Sequence, residues 1–276
     1  MNKVILITGI SSGIGLETAK ILAGAGYTVY GGARRQENML GLENLGVRCM
    51  YMDVTDDDSL NAAVNYVISN EGRIDVLINN AGFGIYGTVE DVPLSEAKHQ
   101  LEVNLYGPAR LIQLVLPYMR RQNSGMIINI SSVAGRMSIP LGTWYHASKH
   151  ALEALSDSLR NEVGQFGIKV VIIEPGIIDT AWWPLTEKNL EKISANTAYG
   201  KLVQHGIKYL KNPGNASKPD VVANTILKAI RYETPKARYA VGQSAKLIIG
   251  LKETLSDKVF DKLLKKKNGY GIKKSG

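Results

Sequence analysis

An α/β chain, with a doubly wound parallel sheet of about seven strands and helices on both faces, is predicted by two features of the sequence. Short runs rich in β-branched residues alternate with longer amphipathic ones, and a glycine-rich turn joins the first of each kind. Such alternation places helical crossovers between parallel strands, and right-handed crossovers favour double winding. The first strand, 4–8, ends at Gly9. The second, 28–33, runs into two arginines. The third, 47–52, stops at Asp53, and the fourth, 76–79, at Asn80. The fifth, 126–131, follows Gly125; the sixth, 169–174, meets Pro175; the seventh, 238–241, ends at Gly242. Turn-forming boundaries of this kind delimit strands. Helical periodicity fills the gaps at 13–25, 59–71, 95–121, 145–166 and 220–232.

Residues 181–219 break the rhythm, with Trp182-Trp183-Pro184 at one end and a Pro/Gly/Asn-rich segment at the other. Long insertions usually cover a site or mediate contacts. We read this one as a substrate lid, helical at 185–193 and 199–209, within a single catalytic domain spanning 1–276.

At 276 residues, with 45% hydrophobic and 21% charged residues, the chain is long enough for a substantial core and ordinary for a soluble protein. The one cysteine, Cys49, can form no intrachain disulfide and sits in an apolar run, as a buried thiol does. Of the net charge of +8, the basic extension 244–276 holds nine lysines against three acids, which leaves the remainder nearly balanced. Nucleic-acid proteins carry their charge along a folded face with groove-reading elements, so no nucleic-acid partner is expected. Two readings of the extension stay open: a solvated, frayed terminus, or weak peripheral attachment to anionic lipid helped by Leu247, Ile248, Ile249, Leu251 and Leu255. No apolar run approaches the roughly 18 residues of a membrane span. Three residues precede the first strand, which leaves no room for a signal peptide, so a cytoplasmic location is expected. Four scattered histidines and one cysteine offer no convergent ligand set, and no metal is expected.

The turn reads Thr8-Gly9-Ile10-Ser11-Ser12-Gly13-Ile14-Gly15. Glycines let the backbone approach a pyrophosphate, and the following helix N-terminus supplies donors and a favourable dipole. Where an acid after the second strand would bind ribose hydroxyls and favour NAD(H), Ala33-Arg34-Arg35 stand instead. A guanidinium suits a 2′-phosphate, so NADP(H) is expected, with Arg34 as its contact. Asn79-Asn80-Ala81-Gly82 places small and amide-bearing residues at a strand's C-terminal end, where a ligand crosses such a sheet. Tyr145 and Lys149 stand one helical turn apart. A phenol titrates near ~10, and a neighbouring ammonium would lower it toward neutrality.

With these motifs the chain resembles the short-chain dehydrogenase/reductase family, from Thr8 to about Gly242. Thr8 to Gly15, Asn79 to Gly82, Asn104, the Ser131-Ser132 pair, Tyr145-x-x-x-Lys149 and Pro175-Gly176 through Thr180 stand in the family's order and spacing. The resemblance implies a Rossmann-like fold and an oxidoreductase that interconverts a ketone or aldehyde and an alcohol. It assigns Asp53 to the adenine, Asn80 to the adenosine side, and Ile178 with Thr180 to the nicotinamide carboxamide. Tyr145 becomes the proton donor or acceptor. Ser132, 13 residues before Tyr145 as is usual in the family, would bind the substrate oxygen. Lys149 would hold the nicotinamide ribose, and Asn104 would order a water linking Lys149 to solvent. A homodimer or homotetramer built through the helices near 95–121 and 145–166 is implied as well.

The expected pocket is apolar: Phe83, Ile85, Tyr86, Ile139, Leu141, Trp144, Trp182, Trp183 and Leu185 all follow C-terminal strand ends. Such walls suit a hydrophobic carbonyl or alcohol, as in the lipid-, retinoid- or steroid-acting members that the chain loosely resembles. Two other classes compete. One is a dinucleotide-sensing protein without turnover, against which the intact Ser-Tyr-Lys set argues; the other is a lipid-surface module whose basic tail matters most.

Overall fold

The computed structural model describes residues 2–211 and 214–268. Among them seven strands form one parallel sheet: β1 (Val4–Thr8), β2 (Thr28–Ala33), β3 (Arg48–Tyr51), β4 (Val76–Asn79), β5 (Gly125–Ile130), β6 (Ile168–Pro175) and β7 (Arg238–Val241), in the order β3-β2-β1-β4-β5-β6-β7. The order reverses between β1 and β4. Their crossovers leave on opposite sides, opening a crevice at the strands' C-terminal ends. The expected strand bounds hold to within a residue at each end.

Alternation along β1 divides the core. Ile5 and Ile7 face one layer, with α1 (Gly13–Gly24), the short α2 (Leu40–Glu43) and α9 (Pro219–Arg231). Val4 and Leu6 face the other, with α3 (Asp57–Glu71), α5 (Gly107–Gln122) and α6 (Thr143–Val163). Every β1 residue is buried, as a parallel strand covered on both faces requires.

The helix expected at 95–121 is not continuous. A π-helical segment, Glu102–Tyr106, separates α4 (Leu94–Leu101) from α5. Such bulges concentrate at functional sites, and this one carries the buried Asn104.

Residues 181–219 contain α7 (Trp182–Ser194) and α8 (Gly200–Lys211), each longer than expected. They pack on each other and are tied to the segment after β4: the Tyr199 hydroxyl donates to Glu90 at 2.7 Å and Thr197 to Asp91 at 3.0 Å. The basic extension is not frayed through 268. It folds as α10 (Ala245–Thr254) and α11 (Asp257–Asn268), whose Ala245, Ile249 and Phe260 bury against Val133 and Met137. Arg136 fastens α10 by pairing with both Glu174, at 3.1 Å, and Glu253. Lys273 and Lys274 lie outside the described residues. Among the described residues no helix is long and apolar enough to cross a membrane.

Candidate active site

The crevice between β1 and β4 is built from backbone. Thr8 Oγ1 accepts from the N–H groups of Asn80 at 3.0 Å and Ala81 at 2.9 Å. In return, Asn80 Nδ2 donates to the carbonyls of Thr8 at 2.9 Å and Gly9 at 3.1 Å. The two strand ends are thereby stitched together, and the side-chain N–H groups of Asn80 are spent on the loop rather than offered to a ligand. Gly9 turns with φ +74°, the left-handed region. A Cβ on Gly15 would stand 2.2 Å from the Gly9 carbonyl oxygen, so α1 can pass this close only as glycine.

At the N-terminus of α1, Ser12 is extended and makes no side-chain cap, and the first turn carries no acid. Its N–H groups therefore face the crevice without a carboxylate or hydroxyl cap, the arrangement that binds phosphate. Ser11 stands half-buried beside it, and Ile14 turns away to pack on the core. The segment after β6 closes the other side. Thr180 Cγ2 would lie 3.3 Å from a Cβ on Gly13, and Ile178 is buried, its carbonyl accepting from the Trp183 indole N–H at 2.7 Å.

At the far end Arg34 reaches into solvent with Nη1 4.0 Å from Asp53. Burial works against ionisation of Asp53, but two hydrogen bonds from Thr55 and the charges of Arg34 and His99 outweigh it and hold the carboxyl below its usual range. Arg34 and Asp53 thus sit side by side where an adenosine end would lie, and Arg35 is exposed.

The side chains expected to be catalytic gather at the mouth. Ser132 is placed by β5: its hydroxyl accepts from Ala134 N–H at 3.1 Å, donates to the Pro175 carbonyl at 3.4 Å, and stands close enough to the Tyr145 phenol to favour its ionised form. Ser131 points instead toward Gly135, where an added Cβ would lie 2.7 Å from its Oγ. Lys149, buried on α6, donates to the Ile130 carbonyl at 2.8 Å. Asn104 donates to the Phe83 carbonyl at 2.9 Å and Ser148 at 3.0 Å, and accepts from Phe83 N–H at 3.1 Å. The exposed Gly82 runs past both groups: a Cβ there would stand 3.2 Å from Asn104 Oδ1 and 3.6 Å from Lys149 Nζ.

One expectation needs correcting. Within the protein alone the phenol is not lowered by Lys149. Burial raises Tyr145 above its ordinary value, and the opposing influence is the nearby Ser132 hydroxyl. The lysine stem runs to the end of β5 and spends its ammonium on a carbonyl. Burial also depresses Lys149 itself, to about 8, against the pull of Glu153.

Tyr145 is walled by aromatic rings. Its centroid is 5.6 Å from Trp182 and 6.1 Å from Tyr86, and Trp182 and Tyr86 meet edge-on at 5.5 Å. Leu141 belongs to the same cluster. Trp144 does not: it packs with Ile85, Phe83 and Val92 in a separate cluster, and its indole N–H is buried without a partner among the described residues. Leu185 is 60% exposed on the outer face of α7 and walls nothing.

Two positioning residues were missed in the sequence. Ser148 donates to the Tyr145 carbonyl at 2.7 Å while accepting from Asn104. His146 accepts from Ile139 N–H at 3.3 Å through Nε2 and contacts the Ala134 carbonyl at 3.1 Å through Nδ1, pinning the loop between Ser132 and the pocket. A periodicity count would have put both on the buried side of α6, but their partners lie far along the chain.

Comparison with known proteins accords with this geometry. A family model described as short chain dehydrogenase matches residues 3–191. The 3-ketodihydrosphingosine reductase of Bacteroides thetaiotaomicron is 39% identical over 243 residues, covering 87% of this chain and 88% of that protein. A probable short-chain type dehydrogenase/reductase of Helicobacter pylori, VdlC, is 35% identical, covering 94% of this chain and 96% of its own. A crystal structure of a short-chain dehydrogenase from Streptomyces avermitilis superposes with a TM-score of 0.82 at 34% identity, over 98% of this chain and 99% of the other. With a Rossmann-like sheet, a glycine turn at its switch point and these relatives along nearly its whole length, the chain belongs to the short-chain dehydrogenase family of oxidoreductases.

Proposed function

We propose that this protein is an NADP(H)-dependent reductase or dehydrogenase that interconverts a hydrophobic ketone or aldehyde and its alcohol, with Tyr145 carrying the proton. The observation that carries this reading is the convergence of Ser132, Tyr145 and the buried Lys149 at the mouth of the crevice, with Lys149 one helical turn from Tyr145 on α6 and the uncapped start of α1 beside them.

The donors present fit a nicotinamide dinucleotide. The N–H groups of the 9–15 turn would hold the pyrophosphate, with Ser11 and Ser12 at its edge. Arg34 would meet a 2′-phosphate and Asp53 the adenine. Asn80 would shape the loop, while Ala81 and Gly82 leave room for the ribose near Lys149. Pro175, Ile178 and Thr180 would border the carboxamide. When bound, the cofactor supplies or accepts a hydride.

The protein's own groups then manage the oxygen. Ser132 donates a hydrogen bond to the substrate oxygen, and Tyr145 gives it a proton in reduction or removes one in oxidation. Because burial raises the phenol, Tyr145 is protonated at neutral pH and suited by itself to the donor role. A Lys149 that loses its charge near pH 8 makes the ammonium available below that value and scarce above it.

Hydrophobicity of the substrate is supported by the Tyr86–Tyr145–Trp182 wall, and the named activity of the Bacteroides relative points toward lipid-like ketones. The segment 181–219 acts as the lid, since Trp182 sits directly against Tyr145. Assembly into dimers or tetramers through α4–α6, a cytoplasmic location and weak membrane contact through the basic extension complete the reading.

The test follows NADPH absorbance against a panel of hydrophobic ketones. Tyr145→Phe should bind NADPH as the parent does and lose about 10²–10⁴-fold in turnover, the range of general acid–base catalysis. Near-parental turnover in that variant would refute the assignment.

A further inference from the structure

The apolar crevice continues beyond Tyr145. Tyr86, which faces the phenol, also walls an inner space of about 10 Å³ with Ile139, Leu141 and Tyr209. Ile139 and Tyr209 in turn wall a second groove of about 110 Å³ on their other side, between α10 and α11. That groove is completed by Met137, Leu247, Leu251 and Leu263 among others, and among the described residues no charged side chain lines it, although the two helices are rich in lysine. Leu247 is 64% exposed and Leu263 45%, so apolar walls stand open to water. Exposed apolar concavities of this kind mark binding sites. The Tyr209 hydroxyl makes no hydrogen bond among the described residues, so nothing polar holds the ring that divides the two spaces.

We propose that the α10–α11 groove holds the distal part of an unbranched aliphatic chain whose carbonyl lies at Tyr145, which makes the substrate a long-chain ketone. The shared wall of Ile139 and Tyr209 is the argument for this occupant: the groove lies directly behind the inner space beside Tyr86, with only these two side chains common to both. A water-sized inner space means that Tyr209 must turn aside when the chain is seated. The inference rests on the proposed role of Tyr145 and adds where the tail goes.

Methyl ketones from 2-butanone to 2-hexadecanone, with NADPH consumption as the readout, test it. Once the chain passes Tyr209, kcat/KM should climb about fourfold per added methylene, the usual gain from burying one, and then level off. Leu247→Gln and Leu263→Gln, at positions exposed enough to leave folding intact, should lower the ratio of long-chain to short-chain kcat/KM by about tenfold or more. Leu45→Gln, an exposed leucine remote from both spaces, should not change that ratio. A flat length dependence, or an unchanged ratio in both groove variants, would overturn the proposal.

A binding arm keeps the two ideas apart. The fluorescence of cis-parinaric acid should rise with the parent protein and require about tenfold more of either groove variant. Probe binding of that kind without turnover of any ketone supports the groove and removes the role of Tyr145. Ketone turnover without length dependence or probe binding removes the groove alone. Co-sedimentation with phosphatidylcholine/phosphatidylglycerol vesicles that both variants abolish, at an unchanged chain-length ratio, would make this face a membrane contact and overturn the proposal.

Discussion

Around Gly9 and Gly15, backbone meets backbone: two strand ends are laced by Thr8 and Asn80, and a helix passes close enough to exclude a β-carbon. Around Tyr86 and Trp182, rings meet rings at 5.5–6.1 Å, brought together from the segment after β4, from α6 and from the insertion helix α7. The first region tolerates no change of shape, because its neighbours are main-chain atoms that cannot rotate away. The second is held by dispersion and area burial, which many side chains of similar volume supply. A cofactor common to a family can be served by the first kind of site, and a substrate peculiar to one member by the second.

The contrast is sharpest at Gly15. Gly15→Ala puts a Cβ 2.2 Å from the Gly9 oxygen, so the loop must move. NADPH affinity should fall by about 100-fold or more, with stability lowered by about 2–4 kcal/mol, as for severe backbone clashes. Equilibrium titration and urea melts check this; a binding loss under threefold would show that the loop yields.

Between the two regions stands His146, buried and depressed to about 4 by burial, against hydrogen bonds to the 134–137 backbone. The unfolded imidazole takes its proton near 6.5 while the folded one resists until about 4. The stabilisation is complete above pH 6.5 and is lost as pH falls toward 4, amounting to about 3 kcal/mol. Melts between pH 7 and 4.5 should show this slope, and His146→Gln should flatten it.

Arg34→Ala acts at the exposed rim of the cofactor end. NADPH should bind about 10–100-fold more weakly, the value of a charge-assisted contact, and NADH nearly as before. Equal losses for both would remove Arg34 from the 2′-phosphate.

In the substrate half, Trp182→Ala should raise KM for hydrophobic ketones about tenfold, since a packed ring is lost but its neighbours can close in. Leu185→Ala, three residues on but facing water, should change stability by less than about 0.5 kcal/mol and leave KM unaltered. If the two substitutions behaved alike, α7 would not face the site as the structure has it.

The same division governs what could be read without coordinates. Thr8 to Gly15 and Tyr145 to Lys149 are local: their chemistry depends on spacings of a few residues that one turn or one helix imposes. The strand pattern was legible for a related reason, since a strand buried on both faces must be apolar throughout. Trp144 and Trp183, by contrast, look alike as bulky neighbours of motifs, yet only Trp183 joins the cluster at Tyr145. Their fate depends on which helix arrives opposite, which no local spacing encodes. The π-segment at Asn104 was hidden too, because it shifts a helix by a fraction of a turn without altering composition.

By itself the sequence determined the order of the strands and helices along the chain, the glycine turn that opens α1, and the one-turn spacing of Tyr145 and Lys149 on α6. Only the tertiary structure decided that Lys149 turns to the Ile130 carbonyl rather than to the phenol, that Ser148 and His146 brace the turn around Tyr145, and that the lysine-rich extension folds over Met137 instead of trailing in water. Each of these depends on atoms brought together from distant parts of the chain, where burial and competing hydrogen bonds outweigh any preference that a short segment carries alone.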